Sequence, residues 1–258
     1  MKLGRVLSIV GVLAAVAAVR SVRADDAPPP TPEGWSGKGQ VGFLSTHGNT
    51  SSDSANAKLD LTYLEDPWKY TFSLLGFYGE SGDIVSAERL EGQLQSNYNI
   101  NSRLFAFGML HYTHDEFNGF VYEAQAAVGL GYKVLDTAVD KLSAQIGPGY
   151  QRLRPEELVK DADGAVIQRI PGDTESGAIV SVGVNYEHDF NASTKLIDKL
   201  LIESGSANTS VGNDLSIQVK MSTKLALAAG WTIQNNSKPP AGLKSEDTSE
   251  TLSLVYSF

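Results

Sequence analysis

Hydrophobic positions in this chain recur every second residue, in short runs divided by turn residues. The clearest run is the last. Leu252, Leu254, Tyr256 and Phe258 share one parity, and Thr251, Ser253, Val255 and Ser257 share the other. Leu225, Leu227, Ala229, Trp231 and Ile233 alternate in the same way. So do Ala57, Leu59, Leu61 and Tyr63, and Tyr122, Ala124, Ala126, Val128, Leu130 and Tyr132. A period of two puts successive side chains on opposite faces of a β-strand. Twelve such runs are predicted, at 37–46, 53–64, 68–79, 86–98, 103–114, 120–133, 141–153, 176–189, 194–204, 210–221, 223–235 and 248–258. Three are imperfect. Both parities are apolar around Phe105 to His114, Leu and Ile fall at adjacent positions from Leu196 to Ile202, and Pro148 interrupts the seventh run. A bulge or a strand end accounts for such irregularity. No long amphipathic helical pattern occurs between Gly37 and Phe258.

The links between runs alternate in character. Glu65 to Pro67, Asn99 to Ser102, Leu135 to Lys141, Phe190 to Thr194 and Ser222 are tight. His47 to Ser52, Glu80 to Ser86, Asp115 to Gly119, Arg154 to Glu175, Gly205 to Thr209 and Asn236 to Thr248 are longer or richer in flexible residues. Short turns on one side and loops on the other describe an outer-membrane barrel. The expected fold is all-β: a transmembrane antiparallel up-and-down β-barrel of about twelve strands over residues 37–258. An even strand number puts both termini on the short-turn, periplasmic side. Closure gives every backbone group a partner and leaves no edge. Aromatic residues gather near the tight turns (Tyr63, Trp68, Tyr70, Tyr98, Phe105, Tyr132, Phe190, Tyr256, Phe258). A looser set lies toward the loops (Phe43, Tyr78, Tyr112, Tyr150, Trp231), as interfacial girdles require. A secreted β-sandwich also alternates, but does not require this alternation of links.

The N-terminus reads differently. Lys2 and Arg5 precede an apolar run from Val6 to Val19, and Val22-Arg23-Ala24 has the form of a cleavage site. Residues 1–24 are therefore an expected signal peptide, too short in its apolar part to span a bilayer. Residues 25–36 are Pro-rich and are expected to form a periplasmic linker. The chain of 258 residues carries a formal charge of −9. Cleavage removes four basic residues (Lys2, Arg5, Arg20, Arg23) and no acids, which takes it to −13. That balance argues against a general nucleic-acid partner. With no Cys, a disulfide scaffold, a thiolate metal site, a cysteine nucleophile and a lipoprotein anchor are all excluded.

Parity assigns the polar row to the barrel interior. Its members are Lys58, Asp60, Glu91, Gln93, Gln95, Glu123, Gln125, Gln145, Asn185, Glu187, Gln218, Lys220, Lys224 and Gln234. The row is polar enough to be wet and mixed in sign. Twelve strands fall between barrels that side chains fill and barrels that leave a channel. If the interior conducts, Asp60, Glu91, Glu123 and Glu187 predict a modest cation preference.

Other chemistry is thinly represented. His111 and His114 with Asp115 and nearby serines are candidates for a lipid-active site, but alternation puts the two histidines on opposite faces. No Gly-x-Ser-x-Gly elbow occurs. His188 and Asp189 read as a solvated interfacial pair. Asp161-Ala162-Asp163-Gly164 has the start of a calcium loop but lacks its downstream ligands.

Three stretches carry a resemblance: Gly42 to Tyr63, which contains Gly48-Asn49-Thr50; Gly129 to Leu135 with Gly147 to Glu157; and the closing SLVYSF. Together they resemble the YdiY-like family, described as salt-induced outer-membrane proteins and itself a domain of unknown function. The resemblance implies a barrel and an outer-membrane location, and no catalytic, cofactor or metal residues. The C-terminal Tyr256-x-Phe258 resembles the signal read by the barrel insertion machinery. That machinery and outer-membrane lipids are the expected partners, and oligomeric state is left open. The expected function is a narrow passive pore. A non-conducting envelope protein and a lipid-active enzyme are the alternatives.

Overall fold

The computed structural model describes residues 33–46, 52–82, 84–161, 165–240 and 243–258. The expected signal peptide, most of the linker, His47, the Gly48-Asn49-Thr50 turn and Asp163 lie outside them. The strands are β1 (Gly34–Thr46), β2 (Ser52–Glu65), β3 (Trp68–Ser81), β4 (Ile84–Asn99), β5 (Leu104–Asp115), β6 (Phe120–Asp136), β7 (Asp140–Lys160), β8 (Val166–Pro171), β9 (Glu175–Asp189), β10 (Thr194–Gly205), β11 (Thr209–Lys220), β12 (Leu225–Asn236) and β13 (Glu246–Ser257).

Twelve of these form one closed antiparallel barrel. Each barrel strand pairs with its predecessor and its successor in the chain, and β1 pairs with β13 to close the ring. β8 stands apart. It pairs only with the far end of β7, as a hairpin that prolongs the wall. The closing seam runs from Lys38↔Ser257 to Gly42↔Ser253. It is extended by reciprocal backbone bonds between Gly37 and Phe258, at 2.9 and 3.0 Å. Gly34 to Ser36, expected in the linker, belong to β1, and Trp35 packs on Tyr63 with ring centroids 5.0 Å apart.

One end carries tight turns of two to four residues, at 66–67, 100–103, 137–139, 190–193 and 221–224. The opposite end is less uniform than the sequence suggested. β3 and β4 stay paired as far as Ser81 and Ile84, and residues 206–208 alone link β10 to β11. The long excursions there are the β7–β8 hairpin with the segment after it, and residues 237–245.

Pro148 sits within β7 and has no N–H to donate. The β6–β7 ladder is broken there, between Ala127↔Gly149 and Leu130↔Ile146. Gly129 and Gly147 face each other across the gap, so close that a Cβ on either would strike the other strand's backbone.

The outer wall is apolar. Val41, Leu90, Leu94, Leu110, Val128, Leu130, Ile146, Val180, Leu252 and Leu254 are all exposed on it. Aromatic rings fringe this belt at the tight-turn end, where Trp68 meets both Tyr70 and Tyr98, and Tyr256 meets Phe258. No helix among the described residues is long and apolar enough to cross a membrane.

Candidate functional site

The barrel interior gathers the polar row. Side chains from strands that are not neighbours meet across it, which fixes the inward parity. Gln95 on β4 donates to Gln145 on β7 at 3.0 Å. His111 on β5 reaches Glu203 on β10 at 3.0 Å. In the same parity stand Lys58, Asp60, Glu91, Gln93, Glu123, Gln125, Asn185, Glu187, Gln218, Lys220 and Gln234. Their register partners are Gln40, Lys38, Thr113, His111, Leu153, Gln151, Lys199, Lys141, Lys195, Ala226 and Gly212 in that order. Lys224 does not line the interior as expected. It lies in the 221–224 turn, and its ammonium sits 5.9 Å from the ring centre of Tyr256, which is on the outer girdle.

The interior divides into zones by height. Toward the loop end the acids are engaged. Glu91 pairs with Arg89, and its other oxygen lies 3.1 Å from His111 Nε2. Asn118 Nδ2 donates to Glu123 at 3.2 Å. Thr232 Oγ1 donates to Asp214 at 2.7 Å. Above them the mouth is tied by loop contacts. Arg169 of β8 pairs with Glu116 at 2.5 Å and Glu156 at 3.0 Å, and lies over the Phe117 ring. Buried Asn208 donates to Asn236 at 2.7 Å and accepts from the Lys238 N–H at 3.2 Å.

At mid-height one side of the interior is apolar. Phe105, Phe107 and Met109 of β5 pack with Ala127 of β6, and Leu201 of β10 meets them across the barrel. This explains the weak alternation around Phe105 to His114. The outward row is apolar for lipid, and the inward row is apolar because it packs on itself. The adjacent Leu and Ile of 196–202 have the same origin, with Ile197 and Leu201 on the inward parity. The register shift in the β5–β6 ladder lies at the far end of β5, between Thr113 and Asp115, beyond the apolar positions of that strand. The Phe105 ring fills the space that a side chain at Gly131 would occupy.

Toward the tight turns the interior is rich in lysine. Lys38 (β1), Lys69 (β3), Lys133 (β6), Lys141 (β7), Lys195 and Lys199 (β10) share the inward parity. Lys195 pairs with Glu187 at 2.9 Å and with Asp189 at 3.6 Å. Asp60 accepts from Ser73 Oγ at 2.6 Å. These six lysines were missed in the sequence. Lys38, Lys69, Lys133, Lys141 and Lys195 sit near a run's end and Lys199 at the middle of its run, and only cross-strand register brings them into one half of the interior.

The three described histidines do not assemble a nucleophilic site. His111 lies between two glutamates. His114 contacts the Val121 carbonyl and Glu116, and Asp115 accepts backbone N–H groups of its own turn. His188 lies 2.7 Å from Asp140, rather than pairing with Asp189, and its ring meets Phe190 on the girdle. No group of three or more His, Asp or Glu side chains suited to a metal ion occurs among the described residues.

Comparison with known proteins adds the following. The chain is 23% identical over 234 residues to the uncharacterized protein YdiY of Escherichia coli (strain K12), covering 90% of this chain and 87% of that one. Among solved structures it is similar to an outer-membrane channel of Pseudomonas putida F1 (TM-score 0.49, 12% identity, 93% of this chain and 100% of that one). It is also similar to the NanC porin (TM-score 0.48, 9% identity, 86% and 98%). The family model described as "Protein of unknown function, DUF481" matches residues 39–258, and the chain belongs to that family.

Proposed function

We propose that the chain is an outer-membrane barrel of a Gram-negative envelope and provides a narrow passive passage for small solutes. The carrying observation is the pairing of an apolar outer belt with a charged interior inside one closed ring. Apolar side chains exposed around a whole circumference are stable only in lipid. Lysines that line a shared interior space need water or solute beside them. In this reading the tight-turn end and both ends of the barrel domain face the periplasm, and residues 1–24 direct export. The four acids that suggested a cation preference are all engaged: Asp60 by Ser73, Glu91 by Arg89 and His111, Glu123 by Asn118, and Glu187 by Lys195. They give that preference no support.

The test is single-channel recording of refolded protein in a planar bilayer. Discrete conductance steps are the expected result. A silent bilayer, with folding verified by heat-modifiable gel mobility, overturns the passage. One observation favours a second reading, a non-conducting structural barrel. The Gln95–Gln145 and His111–Glu203 ties, with the apolar cluster beside them, narrow the interior from wall to wall.

A further inference from the structure

We infer that the tight-turn half of the barrel interior is a selective vestibule for small multivalent anions bearing carboxylate or phosphate groups. As a selectivity device it rests on the passage reading above; as a binding site it does not.

Charge in this shared space is unbalanced. Lys195 is neutralised by Glu187 and Asp189. Lys38, Lys69, Lys133, Lys141 and Lys199 make no ion pair among the described residues. They come from five strands, so they surround the interior rather than cluster on one wall. They also act on one another. Glu187 attracts both Lys69 and Lys38, and Asp60 attracts Lys38 as well, but Lys69 also feels the field of Lys133, Lys199 and Lys141, and Lys38 that of Lys195 and Lys199, so two acids are set against six ammonium groups. Like charges held together cost the fold electrostatic energy that glutamine or serine would not. A cavity of one sign with low-dielectric walls concentrates ions of the opposite sign. The overall charge of the chain is negative, so this excess is local and does not reflect composition. Several ammonium groups facing a common space suit a ligand with more than one negative charge, since each contact is charge-assisted.

Inorganic pyrophosphate is the probe, used in two measurements. Across a bilayer with a potassium chloride gradient, the reversal potential is expected on the chloride side. Pyrophosphate added at the tight-turn side should block the current. In detergent, its phosphorus NMR signal should broaden saturably on adding the refolded barrel, and less so at high salt. The variant K69Q/K133Q/K141Q should weaken both block and binding by about tenfold or more. K224Q, on the outer girdle, should leave them unchanged. If the triple variant fails to refold, K38Q/K199Q replaces it. A conducting barrel with a cation-shifted reversal potential and no pyrophosphate binding overturns the vestibule and leaves the passage standing. A silent barrel overturns the passage alone. The vestibule then stands if pyrophosphate binds and the lysine variant loses it, and falls if no binding occurs.

Discussion

His111 Nδ1 lies 3.0 Å from Glu203 Oε2 and joins β5 to β10 across the interior, with β6, β7 and β9 standing between them along the wall. The other imidazole nitrogen is 3.1 Å from Glu91. One side chain thus ties three strands. Glu203 is only 2% exposed, so H111A leaves a buried carboxylate without its partner. Removing one member of a buried charged pair costs about 3 kcal/mol or more. The variant is expected to lower the urea midpoint of the refolded barrel and, because a cross-strut is gone, to enlarge the conductance step. A stability loss with an unchanged step would mean that His111 supports the wall without narrowing the path.

Leu94 and Gln93 are adjacent in β4 and face opposite media. Leu94 is 46% exposed on the outer belt, and Gln93 is directly opposite His111 inside. Arginine on a lipid-facing wall costs about 2–4 kcal/mol near the midplane, and much less where water reaches it. L94R should therefore destabilise the barrel in lipid vesicles by about that amount, and Q93R by well under half of it. Equal losses, read by urea titration of tryptophan fluorescence, would place both residues in the same environment and contradict the membrane orientation.

The contrast within β4 also shows what was legible in the sequence. Strand positions and faces follow from a local rule of period two, and all twelve barrel strands fall where that rule put them, with ends shifted by a few residues except in β7, which runs seven residues further, to Lys160. β8 escaped it because Val166–Pro171 lies beyond the belt, where no lipid imposes an apolar row. Phe105, Phe107 and Met109 blurred the alternation because their interior row packs as a core. The lysine level was hidden for a different reason. Whether Lys69 and Lys141 stand at one height depends on the register of every strand between them, and no single run contains that information. Lys224 had the right parity in the sequence, but its strand begins one residue later, at Leu225, so the parity did not bind it.

Gly147 and Gly129 set how closely β6 and β7 approach at the ladder break. A Cβ at Gly147 would press on the Val128 carbonyl and on Gly129 Cα, which are backbone atoms and cannot rotate away. G147A is expected to cost about 1–3 kcal/mol, the range for inserting one carbon into a packed site. G76A, where an added carbon meets nothing within 4 Å, serves as the control and should change little. The midpoints of heat-modifiable gel mobility for the two variants make the comparison.

Phe258 plays two parts that substitution can separate. Its backbone N–H and C=O bond reciprocally with Gly37 and extend the closing seam, and its ring lies against Gly37 and stacks on Tyr256. F258A keeps the backbone bonds and removes the ring. The loss of partly exposed aromatic surface should lower the stability of the refolded barrel by about 1–2 kcal/mol. If the terminal aromatic is also what the insertion machinery reads, then the amount of barrel assembled in cells should fall several-fold. That is more than a stability change of this size produces in a protein that still refolds fully in detergent. Measuring both yields in parallel separates the roles. Equal modest losses in cells and in detergent would make Phe258 a seam residue only. A large loss confined to cells would make it part of the address.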